Sequence, residues 1–216
     1  MSLRPAPKPR LRGLSHAMAF FIALPLGLAL VLEAHTGRGR LSAIVFAATV
    51  AAMFGASALY HSPNWGEAPR RWLRRVDHAG IYALIAGTYT AFGLLALGGY
   101  WRWLVLSIVW AGALAGIVFK FAWLDAPKWI SAVIGVLLGW IGVVVFPQLL
   151  HAIGVGALLL VLAGGLLYTL GALVYALRRP DPRPAVFGFH EVFHVLVIAA
   201  VACQYSAVAF FVLPQH

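Results

Sequence analysis

Residues Leu14 to Leu32 read LSHAMAFFIALPLGLALVL, a run without a single Asp, Glu, Lys or Arg. About 20 apolar residues of helix cross the hydrocarbon core of a bilayer, so this run is long enough to span one. Its basic start (Arg4, Lys8, Arg10, Arg12) and apolar middle also suit a cleavable signal peptide. Pro25 in the middle, and Glu33 and His35 where a small-residue cleavage site belongs, argue instead for a retained first helix. The rest of the chain has the same character. Of 216 residues, 62% are hydrophobic and 10% charged, with a mean hydropathy of +0.91. Soluble domains carry roughly 25% charged residues, so a water-soluble fold is excluded. Eight Trp, thirteen Phe and seven Tyr exclude a disordered chain. The single cysteine, Cys203, rules out an internal disulfide.

Further apolar stretches of spanning length follow at short intervals. The expected fold is all-α, a bundle of seven transmembrane helices over approximately 14–32, 41–61, 78–97, 102–121, 129–149, 154–177 and 188–213. A basic segment, 1–13, precedes the bundle and a short tail, 214–216, follows it. Sixteen Lys and Arg against six Asp and Glu give a formal charge of +10. In a soluble protein that charge suggests nucleic acid; here it reports orientation, and no nucleic-acid partner is expected. Thirteen basic residues fall on the side of the N-terminus and three (Arg38, Arg40, Arg102) on the other. Basic residues gather in cytoplasmic loops, which places the N-terminus in the cytoplasm and the C-terminus outside. The pairs Gly112 with Gly116 and Gly135 with Gly139 suit close packing inside the bundle. Pro25 and Pro147 are expected kinks.

Ionisable groups at membrane depth are costly and usually functional. His61 ends the second expected helix, Asp77 begins the third, and His190 and His194 lie in the first turns of the seventh. All four fall at the cytoplasmic ends of their helices. Residues four apart share a helix face with Cβ atoms about 5–6 Å apart, so His190 and His194 can share a metal ion. Catalytic zinc takes three protein ligands and leaves the fourth place open, and His61 is the natural third ligand. Asp77 then either binds directly or holds the water at the open position. Ser57, four residues before His61, points into the same space, while His78 turns away as a bystander or as a supporting group behind the site. Imidazole also suits copper, iron and nickel. The stretch His190-Glu191-Val192-Phe193-His194 matches the H-E-x-x-H peptidase pattern as well, with Glu191 as general base. That reading leaves His61 without a role.

Three segments carry a family resemblance: Ser57-Ala-Leu-Tyr-His61; Arg75-Val-Asp77-His78 with the run on to Thr90; and Gly188-Phe-His190-Glu-Val-Phe-His194. Together they resemble the hemolysin III family, the bacterial branch of the progestin and adipoQ receptors that include the adiponectin receptors. GVLLGWIG at 135–142 and GGLLYTLGALVY at 164–175 resemble its fifth and sixth helices. The resemblance implies seven helices, a cytoplasmic N-terminus, a zinc ion held by His61, His190 and His194, and Asp77 in contact with the water on that zinc. Ser57 matches the serine of the family's S-x-x-x-H motif. The wider group is similar to alkaline ceramidases, which implies metal-dependent hydrolysis of a lipid amide. The chain departs from the family at Gly13-Leu14-Ser15-His16, at Ala91 in place of a proline, and at Gln204 in place of a histidine.

The expected activity is therefore zinc-dependent hydrolysis of a lipid amide at the inner leaflet of a bacterial plasma membrane. His61, His190 and His194 are the metal ligands, Asp77 and Ser57 the catalytic residues, and membrane lipids the partners. A receptor-like or regulatory protein with structural zinc is the alternative. A pore and an intramembrane peptidase rank below both, the pore because no helix carries a second polar stripe to line an aqueous path.

Overall fold

A computed structural model describes residues 9–215. Residues 1–8 of the expected basic segment and His216 of the expected tail lie outside them. The described residues are helical, with one isolated bridge, between Arg183 and Phe187. The helices are α1 (Leu14–Glu33), α2 (Gly37–His61), α3 (Glu67–Ala96), α4 (Gly99–Ala122), α5 (Lys128–Gly139), α6 (Phe146–Leu177) and α7 (Phe189–Ala207). A 3-10 turn, Ile141–Val145, joins α5 to α6, and a π turn, Val208–Val212, extends α7.

The helix ends follow local chemistry. Thr36 caps α2 by accepting the Gly39 N–H at 3.0 Å, which starts that helix four residues before the expected position. α3 begins at Glu67, so the four arginines expected in a loop are helical; an acid at the first position and Pro69 in the first turn both favour a helix start. Pro147 likewise sits in the first turn of α6, where its missing N–H costs nothing, instead of kinking a helix interior.

Six helical stretches are long and apolar enough to cross a membrane, not the seven separate ones expected. The expected helices 129–149 and 154–177 belong to one stretch, Lys128–Leu177, of 50 residues. A straight helix of that length would run about 75 Å at 1.5 Å per residue, more than twice a hydrocarbon core. The stretch is not straight. Gly154 has φ 73° and ψ 173°, a conformation glycine adopts without a Cβ penalty. Its two arms then lie side by side: Trp140 Nε1 donates to Thr169 Oγ1 at 2.9 Å, and the Lys128 ammonium lies 4.5 Å from the centre of the Tyr175 ring. One residue does the work of a loop, so helix runs to both sides of the turn.

α2 packs along α1 on one side and α3 on the other, and α6 packs along α7. A Cβ on Gly116 would stand 2.7 Å from the Tyr82 ring and one on Gly112 2.6 Å from Leu138, so this pair serves internal packing as expected. A Cβ on Gly135 or Gly139 would meet nothing within 4 Å, and both residues border a cavity instead. Outward-facing Phe21, Leu32, Val118, Leu137 and Phe210 are exposed, leaving an apolar belt suited to lipid.

Candidate metal centre

His61 is the last residue of α2, and His190 and His194 occupy the first two turns of α7. Two local devices fix these ends. Gly13 approaches His61 so closely that a Cβ there would stand 2.9 Å from the His61 Cβ, and its φ of 84° also favours glycine. At α7, Gly188 N–H donates to Glu191 Oε2 at 2.8 Å, and Phe189 N–H donates to Asp181 Oδ1 at 2.8 Å. Acids at a helix start satisfy free N–H groups and favour the positive end of the helix dipole.

The three imidazoles are buried, and one ligand atom from each lies within 4.8 Å of the others. His61 Nε2 and His190 Nε2 are 3.0 Å apart. Tetrahedral zinc with bonds of about 2.1 Å needs nitrogens roughly 3.4 Å apart, so the cluster closes on an ion with small ring rotations. His194 Nδ1 is buried without a hydrogen-bond partner among the described residues. A donor set of three imidazoles that face one another suits a borderline-soft divalent cation. The expected ligands are brought together as one group, and they fit a metal ion.

Asp77, on α3, places Oδ2 3.6 Å from His61 Nε2. Ser57 is buried one turn before His61, with its hydroxyl towards Asp77. Glu191 is turned away from the cluster: it is 1% exposed, bonds the Gly188 N–H and forms an ion pair with Arg12. A general base must reach its substrate, so this orientation removes the support for the H-E-x-x-H peptidase reading.

Two polar groups, His16 and Lys120, join the site beyond those expected. His16 of α1 stacks on His194, ring centres 3.7 Å apart and planes 7° from parallel. It is a lone histidine on an apolar helix, with no spaced partner in sequence to signal it. Of the two places expected for His78 it takes the supporting one: its Nε2 lies 3.2 Å from the Tyr175 hydroxyl, linking α3 to α6. Lys120, near the end of α4, is 3% exposed and borders the same cavity. Gln204, where the resemblance leads one to expect histidine, lies farther along α7 and donates to the Val161 carbonyl at 3.2 Å.

His190, His194, Asp77 and Ser57 face a cavity of about 210 Å³ between α3 and the α5–α6 arms. Away from the cluster its walls are apolar, including Leu84, Phe92, Leu149, Leu158 and Val161. A deep apolar space with polar groups at one end suits an amphiphile with its chain inside and its head at the histidines.

The comparisons agree with this architecture. Residues 5–205 match the family described as haemolysin-III related. Hemolysin-3 of Bacillus cereus is 29% identical over 205 residues, 93% of this chain and 90% of that protein. The Hemolysin-3 homolog of Bacillus subtilis (strain 168) is 27% identical over 201 residues, covering 92% and 91%. The adiponectin receptor protein of Drosophila melanogaster is 31% identical over 143 residues, 64% of this chain and 27% of the receptor. With nearly its whole length matched, this helical membrane protein belongs to the haemolysin-III related family.

Proposed function

We propose that this chain is a zinc-dependent hydrolase of a lipid amide, working at the cytoplasmic leaflet of a bacterial inner membrane. The observation that carries the reading is a three-imidazole cluster opening onto an apolar cavity that also holds Asp77 and Ser57. Three protein ligands with a free position is the pattern of catalytic rather than structural zinc. The two arms of Lys128–Leu177 cross the membrane in opposite directions, so the chain crosses seven times, starting in the cytoplasm. The thirteen-to-three distribution of basic residues supports that orientation.

When bound by His61, His190 and His194, zinc supplies a Lewis acid that polarises a carbonyl and makes the attacking water acidic near neutral pH. The chain's own residues do the rest. The cavity walls hold the acyl chain and exclude bulk water. Asp77 Oδ2 takes a proton from the water whose oxygen bonds to the carbonyl carbon. It returns that proton to the amide nitrogen as the C–N bond breaks, leaving a carboxylic acid and an amine. Ser57 donates a hydrogen bond to the carbonyl oxygen as charge builds there, and loss of such a donor costs about 10²–10³ in rate.

Elemental analysis and turnover of a long-chain acyl amide test this reading together. The parent is expected to hold about one zinc per chain, and the triple variant His61→Ala, His190→Ala, His194→Ala almost none. Asp77→Ala keeps its metal and loses turnover; full turnover in that variant ends the mechanism. A second reading, a receptor-like protein with structural zinc, draws on Asp77 lying 3.6 Å from His61 Nε2, near enough to close the site as a fourth ligand. It requires a zinc-loaded parent that hydrolyses nothing and a His61→Ala variant with a lowered melting temperature.

A further inference from the structure

Lys120 is a buried lysine with no anionic partner among the described residues. The chain has six acidic residues, and each is accounted for elsewhere. Asp125 binds Arg74 at 2.8 Å, Glu191 pairs with Arg12, and Asp181 accepts the Phe189 N–H. Asp77 faces His61, while Glu33 and Glu67 are exposed at helix termini. Among the described residues no carboxylate pairs with Lys120. Its ammonium lies 5.4 Å from the centre of the Phe119 ring. A charged group taken out of water without a partner is costly, so the position calls for an anion from outside the chain.

The packing places Lys120 where a ligand's head would lie. α3 and α4 run antiparallel: Gly116 meets Tyr82, and Arg75 Nε donates to the Phe121 carbonyl at 3.3 Å. Position 120 therefore stands abreast of 78. His78 reaches Tyr175, and the Lys128 ammonium covers the Tyr175 ring. Asp77 and His78 diverge by about 100° around α3. Lys120 thus stands on the His78 side of this turn, with the cavity bordering both Asp77 and Lys120, while Lys128 lies over Phe189, next to His190.

We infer that Lys120 anchors an anionic group on the amine portion of the substrate. This rests on the reading that the cavity holds an acyl amide, and it narrows the substrate class. The favoured substrate has its chain among the apolar walls, its amide at the histidines and a carboxylate or phosphate one or two carbons beyond the nitrogen. N-acyl amino acids are the simplest members of that class, and N-acyl ethanolamine phosphates carry a larger negative charge, about −1.5 to −2, on a different head. A neutral head leaves Lys120 buried and unpaired.

Equilibrium binding to the purified, zinc-loaded protein tests the inference, in an Asp77→Ala background so that no amide is consumed. The probes are N-palmitoylglycine, N-palmitoylethanolamine and N-palmitoyl phosphoethanolamine, which share one chain and differ in the head. N-palmitoylglycine or the phosphate is expected to bind at least about tenfold more tightly than the neutral amide, as a charge-assisted contact in a dry site warrants. Whichever anion wins identifies the head group. Lys120→Met should level the probes with neutral binding unchanged, and Lys120→Arg should retain the preference. Equal affinities in the parent overturn the anchor, with no variant needed, and leave the lipid cavity standing. A preference that survives in folded Lys120→Met also overturns it. Failure of all three probes to bind overturns the cavity reading itself, and the anchor with it.

Discussion

Glu191 lies between two metal-site histidines in sequence, yet its side chain serves the helix end. It satisfies the Gly188 N–H and neutralises Arg12, tying the segment before α1 to the start of α7. Backbone bonds from Arg10 N–H to the Ala185 carbonyl and from Leu11 N–H to the Val186 carbonyl reinforce that tie. Glu191→Gln keeps an acceptor for Gly188 and is expected to retain metal and turnover. Glu191→Ala leaves the half-buried Arg12 without its anion and should cost about 1–3 kcal/mol, since the guanidinium keeps some access to water. Metal content, turnover and melting temperature of the two variants in detergent check this; a Glu191→Gln protein that holds zinc but turns nothing over returns Glu191 to the chemistry. The clustering of His61, His190 and His194 was legible in sequence because two of them share a helix face and the third ends a helix. His16 and Lys120 were not, because a single polar residue on an apolar helix carries no spacing to read, and only packing shows what it meets.

The contact between α2 and α3 controls how His61 and Asp77 face each other. At its centre a Cβ on Gly87 would stand 1.9 Å from Thr49 Oγ1, and that hydroxyl is already bonded to the Val45 and Phe46 carbonyls at 2.9 and 3.0 Å. Gly87→Ala therefore forces the helices apart, at about 1–3 kcal/mol for overpacking. Zinc content should fall with stability, since one helix carries a ligand and the other the aspartate beside it. Thr49→Ala in the same chain removes the obstructing atoms and should restore both; a Gly87→Ala protein with the parent's melting temperature and metal content refutes the coupling. Most spans were legible from apolar length alone. The joining of the last two before α7 was not, because sequence marks a break by loop residues and Gly154 turns the chain without any. The start of α3 was hidden for a related reason: charged residues mark the limit of a membrane span but do not stop a helix, and arginine is a good helix former.

At the scale of the whole molecule, the hairpin at Gly154 decides where the chain ends. If Lys128–Leu177 crossed the membrane once, six crossings would bring both termini to one face; two arms crossing in opposite directions place them on opposite faces. The lateral contacts between the arms, Lys128 with Tyr175 and Trp140 with Thr169, favour the second arrangement. Basic residues point the same way, since Arg70, Arg71, Arg178 and Arg179 then share the cytoplasmic face with the N-terminus. Thiol labelling tests the arrangement directly, because Cys203 is the chain's single cysteine. In a Cys203→Ala background, Gln215→Cys should react with a membrane-impermeant maleimide in intact spheroplasts, and Arg10→Cys only after lysis. Equal protection of both sites before lysis would mean an even number of crossings. It would also require the two arms to sit on one side of the bilayer midplane, a position their exposed leucines and valines, Leu137, Val144, Leu159 and Leu170 among them, could occupy only at a large hydrophobic cost.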